Sequence, residues 1–181
     1  YKNDKVASDD LAINNGRGIE LNFEEDVDCE ANIFLRRITV RNTRNDKREI
    51  RGFFYHDFHL YGDGIGDTAV YQKNQNVSIQ YKGARYFLIG LLRSNKKEGI
   101  TSDIDDYAIG QSEGEGYEGT FRDAEDGVLS KNPVAQGSVD STVGIHLQIP
   151  GNYSRVVYYY MTPGKDFNEV YELNDCVMDI G

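Results

Sequence analysis

The sequence feature that most constrains the fold is the stretch 52–92, GFFYHDFHLYGDGIGDTAVYQKNQNVSIQYKGARYFLIGLL. At 51–60 β-branched and aromatic residues are dense and proline is absent, which favours a strand over a helix. An acidic, glycine-rich loop, YGDGIGDT, follows at 61–68, and YKGARY at 81–86 predicts a tight turn between two further strands. The stretch therefore predicts a β-meander.

Composition indicates the same fold class. The 181 residues include thirteen tyrosines, eight phenylalanines and no tryptophan, and tyrosine is enriched in sheets. Nineteen glycines against three prolines indicate many turns, and no alanine- or leucine-rich helical tract is present. A chain of this length fits one domain, so the sequence predicts a single all-β domain over 1–181.

Turn signals divide the chain into predicted strands. The Asn-Gly pair at 15–16 predicts a two-residue hairpin turn, and the acidic run at 24–28 is interpreted as a solvated loop. The strands at 33–42 and 48–60 are predicted to pair across a polar turn. The full set of predicted strands is 5–13, 18–25, 33–42, 48–60, 77–81, 85–92, 142–149 and 154–161.

Helical structure is predicted at three places. A short turn is expected at 104–109 within an irregular segment, and Thr120 is expected to cap one or two turns that Gly127 ends. Apolar residues at helical spacing predict a C-terminal helix within 167–180.

The net charge of −10 bears on partners. Excess negative charge repels phosphate backbones and anionic lipids, so neither nucleic acid nor a membrane is an expected partner. Cys29 and Cys176 lack metal-type spacing, and they are interpreted either as a disulfide or as two buried thiols of a cytosolic protein. The interpretation as cytosolic thiols favours the cytoplasm. Because the chain begins at Tyr1, the removal of an upstream segment stays open, and the sequence therefore does not determine the compartment.

Two of the three histidines, His56 and His59, fall in the predicted strand at 48–60. Because residues three apart in a strand point to opposite faces, one metal ion should not bind both imidazoles. His56 beside Asp57 is interpreted either as a structural imidazole or as a group that orients a partner across an interface.

The loop Asp63-Gly64-Ile65-Gly66-Asp67 shares its glycine and aspartate content with calcium loops. It lacks the ligand spacing of an EF-hand and the closing glutamate. We expect no cofactor, with calcium at this loop as the alternative. The same aspartates suit a tight loop in which carboxylates accept backbone hydrogen bonds.

Three carboxylates, Asp123, Glu125 and Asp126, follow Arg122 within a few residues. Glycoside hydrolysis needs two carboxyl groups that face each other across a sugar, whereas neighbours on a helical turn diverge. Arg122 would keep these groups ionised, so an ion-paired turn is predicted. The sequence contains no nucleophile elbow, P-loop or dinucleotide fingerprint, and nothing in it makes an enzyme of this chain alone.

Five segments of the chain resemble segments of a known protein family: FLRRITVRNT, GFFYHDFHLYGDGIGDTAVYQ, YKGARYFLIG, GTFRDAEDGVLSKNPVAQGSVDST and YYYMTPGKDFNEVYELNDCVMDIG. In the same order they resemble the N-terminal β-sandwich domain of prokaryotic glycoside hydrolase family 15 proteins, which are glucoamylase-like and trehalase-like enzymes. The resemblance covers most of the chain from Gly18 onward, and HDFHLYG and RDAEDG are its most specific parts. Phe121 stands where many relatives are expected to have tryptophan.

The resemblance implies a large antiparallel supersandwich of the galactose-mutarotase-like type, with a helical turn near 120–126 and a C-terminal helix. In the family, this domain precedes an (α/α)6 barrel whose two glutamates hydrolyse α-glucosidic bonds with inversion. By resemblance, the chain would be a fragment that lacks its first strands and that catalytic domain. The α-glucan substrate would then be an indirect partner.

Two functions remain open on the sequence. In the first, the domain packs against the barrel and lends loops 57–67 and 119–126 to the active-site rim. In the second, it is an independent carbohydrate-binding module with Tyr107 and Tyr117 as stacking platforms. The first makes interface candidates of His56, Asp57, His59, Asp63, Asp67, Arg122, Asp123, Glu125 and Asp126.

Overall fold

The computed structural model describes residues 5–62, 64–95, 99–114 and 116–179. Strands dominate it and form two antiparallel sheets, which confirms the predicted all-β sandwich. The strands are β1 (Lys5–Asn14), β2 (Ile19–Asp28), β3 (Ile33–Asn42), β4 (Arg48–His56), β5 (Asp67–Gln72), β6 (Val77–Lys82), β7 (Arg85–Asn95), β8 (Gly99–Ser102), β9 (Asp106–Gln111), β10 (Val134–Gly137), β11 (Val139–Ile149) and β12 (Ser154–Gly164). A 3-10 turn spans Leu60–Gly62, and the helices are α1 (Thr120–Asp123) and α2 (Phe167–Asp179).

The larger sheet has nine strands and the smaller sheet has three. The order in the larger sheet is β1-β2-β3-β12-β7-β6-β5-β10, with β8 paired to β7, and the order in the smaller sheet is β4-β11-β9. The predicted hairpin of β1 and β2 is present, but its loop spans residues 15–18 because Asn14 pairs with Ile19. Gly18, at φ 66°, takes the left-handed conformation that was expected of the Asn-Gly pair.

The sequence predicted a loop for the acidic run at 24–28, but this run forms the end of β2. The antiparallel register places Glu24 opposite Arg37 and Glu25 opposite Arg36 on β3. Their charged atoms lie 2.7 and 2.5 Å apart. Paired in this way, the like charges of β2 are neutralised across the strands, which single-chain charge patterning could not show.

The predicted pairing of the strands at 33–42 and 48–60 is wrong. β3 pairs with β2 and β12, and the chain then crosses to the smaller sheet, where β4 pairs with β11. The buried side chain of Asn42 holds the crossing, since its amide donates to the carbonyls of Asp46 at 2.8 Å and Ile149 at 3.2 Å. β4 also ends at His56, four residues before the predicted end at Leu60.

The segment around 104–109 was predicted as a helical turn and instead contributes strand β9, which pairs with β11. Tertiary pairing has overridden the local cap signal there. Thr120 starts α1 but does not cap it, because its hydroxyl lies 3.0 Å from that of Thr142 inside the domain. Gly127, at φ 83°, ends the turns as predicted.

The main core lies between the two sheets. Ile38 and Val40 of β3 and Leu91 of β7 face Val143 and Ile145 of β11, and all five are at most 6% exposed. These β-branched and leucine side chains are the residues for which the sequence predicted strands. Their burial fixes the register of both sheets, because a one-residue slip would turn the apolar set to solvent.

Helix α2, which the helical spacing predicted, covers the outer face of the larger sheet. Val170 and Val177 pack on this face, and the hydroxyl of the buried Tyr160 donates to Asn174 at 2.6 Å. The Tyr160 ring fits only because Gly90 lies beneath it, since a Cβ atom at Gly90 would come within 2.2 Å of the ring.

Both cysteines differ from the two predicted alternatives. Cys29 and Cys176 are free and exposed, so they neither form a disulfide nor lie buried. Cys29 follows the end of β2, and Cys176 is on the solvent side of α2. Within the described ranges, no helix has the length and apolar character that a membrane crossing requires.

Candidate functional site

A network of polar side chains lies at one end of the sandwich, where β4 and β9 end and β11 begins. Its centre is Asp140, which is 0% exposed. Both carboxylate oxygens accept the backbone N–H of Thr120, at 3.2 and 3.0 Å, and the Tyr55 hydroxyl bonds the same carboxylate. Burial raises the pKa of Asp140, although the hydrogen bonds from Thr120 and Tyr55 act in the opposite direction.

Tyr55 connects this buried carboxylate to Asp57. Burial, together with the nearby charges of Asp140 and Asp57, raises the pKa of the Tyr55 hydroxyl, so it is a hydrogen-bond donor at neutral pH. Asp57 also accepts the Ser112 hydroxyl at 3.2 Å. The network therefore joins the ends of β4 and β9 to the segment that precedes α1.

The arrangement of Ser112, Asp57 and His59 does not activate Ser112 as a nucleophile. The Nε2 atom of His59 lies 3.4 Å from one Asp57 oxygen, and His59 is exposed. An activated serine needs an imidazole against its hydroxyl, with the carboxylate behind the imidazole. Here the carboxylate lies between Ser112 and the imidazole, so Ser112 gains no base.

His56 lies inside the sandwich and is 7% exposed. Its ring stacks on Tyr159, with centroids 5.7 Å apart and an angle of 7°, and its Nε2 atom is 3.0 Å from the Tyr159 hydroxyl. Burial lowers the pKa of His56 to about 4. Since β4 ends at His56, strand alternation does not relate it to His59, but one imidazole is still buried and the other exposed. In the described part of the chain, no three His, Cys, Asp or Glu side chains are grouped to hold a metal ion.

The glycine-rich loop is organised by its second aspartate. Asp67 is 1% exposed, accepts the N–H of Leu60 at 3.2 Å and lies 3.7 Å from the Lys82 ammonium. A protein cation thus already neutralises this carboxylate. Asp63 lies outside the described residues, so the calcium alternative rests on no described ligand set. Tyr61 takes a left-handed backbone conformation at φ 60°, and the Arg85 guanidinium lies 4.1 Å from its ring centroid.

An open cleft of about 560 Å³ lies beside this loop. It is lined by the exposed His59, by Asp57, and by Arg85 and Tyr86 at the start of β7. Phe58 stacks on Phe87 along the cleft wall, with ring centroids 5.0 Å apart. The remaining lining residues are Leu60, Pro163 and Gly164.

Among the carboxylates at 123–126, Glu125 forms the ion pair with Arg122 that the sequence predicted. Arg122 pairs with Glu125 at 2.9 Å, whereas Asp123 and Asp126 accept the backbone N–H groups of Ser130 at 3.3 Å and Val128 at 2.8 Å. These carboxylates fix local backbone and do not face one another across a substrate site.

The residues that immediately precede the segments 56–59 and 122–127, Tyr55 and Phe121, meet through aromatic packing. Phe121 packs edge-on against Tyr55, with centroids 5.4 Å apart, and the Arg122 guanidinium lies 4.9 Å from the Phe121 centroid. Sequence reasoning selected both segments but missed the groups that join them, Tyr55, Ser112 and Asp140. The available signal was Asp140 itself, the one carboxylate in the segment 139–149.

The two tyrosines proposed as platforms have different environments. Tyr107 stacks on Tyr71, with ring centroids 3.7 Å apart, so one face of its ring is covered inside the sandwich. Tyr117 is 58% exposed and lines a second cleft. Comparison of the sequence with models of known protein families and with curated proteins finds no match.

Proposed function

We propose that this chain is a non-catalytic N-terminal β-sandwich domain of a glucoamylase-like glycoside hydrolase. The domain packs against an (α/α)6 catalytic barrel, which hydrolyses α-glucosidic bonds with inversion, and it lends the loops 57–67 and 119–126 to the barrel's rim. One observation carries the proposal. The two most specific segments of the family resemblance, at 56–62 and 122–127, lie at the same end of the sandwich, joined by Tyr55, Phe121 and Asp140.

The chemistry of the described carboxylates supports a scaffold role. Inverting hydrolysis needs a general acid and a general base about 6.5–9.5 Å apart on opposite sides of a sugar. Asp140 is buried beneath α1, and Asp57 accepts hydrogen bonds from the hydroxyls of Ser112 and Tyr55. Asp123 and Asp126 hold backbone N–H groups. These four carboxylates are therefore structural.

The cleft beside the glycine-rich loop supports docking. Interfaces between domains of one chain are more polar than a core, and Arg and Tyr are enriched in interfaces generally. The cleft offers a guanidinium from Arg85, an aromatic ring from Tyr86 and the His59–Asp57 pair. The loop that bears the His59–Asp57 pair is held by buried contacts of Leu60 and Asp67, so it can present this pair with little loss of conformational entropy.

The natural gene product, expressed at full length, tests this function through hydrolysis of maltooligosaccharides. Arg122→Ala removes a rim side chain whose ion pairs are exposed and contribute little to stability. We expect it to lower kcat/KM several-fold while the thermal midpoint of the 181-residue chain stays unchanged. The matched control is Arg155→Ala, also exposed, at the opposite end of the sandwich. Equal activity of Arg122→Ala and Arg155→Ala would contradict the rim role.

A further inference from the structure

A second, polar cleft lies between the end of β9 and the residues that lead into α1. Its volume is about 400 Å³, within the range of about 300–1,000 Å³ that is typical of small-molecule sites. Gln111, Tyr117, Asp123 and Asn132 contribute side chains, and the backbone of Gly119 forms part of the lining. The side chains of Gln111, Tyr117 and Asn132 belong neither to the network around Asp140 nor to the rim loops 57–67 and 119–126, whereas Gly119, Thr120 and Asp123 belong to the second of these loops.

Tyr117 provides an exposed aromatic ring on a hydrogen-bonded main chain. Its ring is 58% exposed, and two backbone hydrogen bonds with Gly114, of 3.0 and 2.9 Å, hold its main chain. A tyrosine in this setting offers an apolar ring face and a polar tip at low entropic cost. Tyr107 offers no such face, because Tyr71 covers one side of its ring.

The amide side chains in the cleft are held as acceptors. Gln111 donates its Nε2–H to the Gln136 carbonyl at 3.1 Å, and Asn132 donates from Nδ2 to the carbonyls of Ile109 at 2.6 Å and Val134 at 3.1 Å. The nitrogen of each amide is thus used within the protein, and its oxygen remains as an oriented acceptor. Little rotamer entropy would be lost when a ligand hydroxyl donates to these oxygens.

The charges around the cleft disfavour anionic ligands. An anion would face the carboxylates of Asp123 and Glu118, and the nearest cation, Arg122, is paired with Glu125 at 2.9 Å and Glu113 at 3.7 Å. An apolar ligand would find a lining of glycine backbone and amides. A neutral, hydroxyl-rich ring fits both the exposed aromatic ring and the fixed acceptors.

We propose that this cleft binds a neutral saccharide. Tyr117 stacks against the C–H face of one pyranose, and Gln111, Asn132 and Asp123 accept hydrogen bonds from its hydroxyls. This site is separate from the loop 57–67, shares Asp123 with the rim loop 119–126, and does not rest on the domain being part of a hydrolase.

Native affinity electrophoresis of the 181-residue chain in gels cast with glycogen, dextran or galactomannan tests the proposal. We expect retardation in at least one polysaccharide. Tyr117→Ala should weaken that binding about tenfold, and Tyr117→Phe, which keeps the ring, should retain most of it. The matched control is Tyr153→Ala, which removes an equally exposed tyrosine, 63% exposed, at the other end of the sandwich and should leave retardation unchanged.

Circular dichroism melts of all variants establish that each is folded. No retardation of the wild type in any of the three gels would overturn the proposal. Retardation that Tyr117→Ala and Tyr153→Ala reduce equally would also overturn it, because binding would then not depend on the cleft.

Discussion

The buried imidazole of His56 makes the stability of the domain depend on pH in a way that one substitution can remove. Burial lowers its pKa from an ordinary 6.5 to about 4, so the folded state holds it neutral while the unfolded chain protonates it. Stability is therefore fully present above pH 6.5 and is lost as the pH falls toward 4. The whole effect corresponds to about 3.4 kcal/mol, of which about 2 kcal/mol is lost between pH 8 and pH 5.

Urea unfolding of the wild type and His56→Phe at pH 8 and pH 5 measures this contribution. The phenyl ring of the variant keeps the stack on Tyr159 but cannot be protonated. The variant also lacks the hydrogen bond between residue 56 and the Tyr159 hydroxyl, and this lowers its stability equally at both pH values. We expect the wild type to lose about 2 kcal/mol more than the variant on acidification. His59→Phe, which changes an exposed imidazole, serves as the control and should follow the wild type. Parallel losses in the wild type and His56→Phe would refute the reasoning.

Three further substitutions test packing and buried hydrogen bonds by urea unfolding at pH 7. Gly90→Ala should destabilise by about 3 kcal/mol, because its Cβ would lie 2.2 Å from the Tyr160 ring, whereas Gly16→Ala, whose Cβ would have only a 3.6 Å contact, should change little; equal effects would contradict the packing account. Tyr160→Phe removes the donor of a buried 2.6 Å hydrogen bond and should cost about 2 kcal/mol, against no change for the exposed Tyr153→Phe. Asp140→Ala leaves a buried N–H without its acceptor and should cost about 3 kcal/mol, most of which Asp140→Asn should restore; a stable alanine variant would show that the network is dispensable.

Local sequence signals were sufficient for most strands and for the C-terminal helix. β-Branched and aromatic runs between glycine and asparagine turns predicted β6, β7 and β12, and these strands extend only a few residues further than expected. What local signals lack is the partner of each strand. Local pattern predicts a loop for the acidic end of β2, whereas in the sheet the arginines of β3 lie opposite it and it forms a strand. Local pattern likewise predicts a hairpin after β3, whereas in the structure Asn42 donates a hydrogen bond to Ile149 at the end of β11 and the chain crosses to the other sheet.

The candidate site was predictable only in part, for a similar reason. The segments that contain Asp57 and Arg122 stand out in the sequence, but their meeting depends on Asp140, which follows them in the chain and is buried by tertiary structure. His56 was selected as an interface residue because it neighbours Asp57. The end of β4 turns its ring inward against Tyr159 instead. Burial of a polar side chain is a property of the whole fold, and local pattern cannot supply it.

The measurement that tests the proposed function most directly is hydrolysis of maltooligosaccharides by two proteins, the 181-residue chain and the full-length natural gene product. The account predicts no hydrolysis by the chain alone, because the carboxylates of Asp57, Asp123, Asp126 and Asp140 hold backbone and side-chain hydrogen bonds, and it predicts release of glucose with inverted configuration by the full-length product. Hydrolysis by the chain alone, or none by the full-length product, would contradict it.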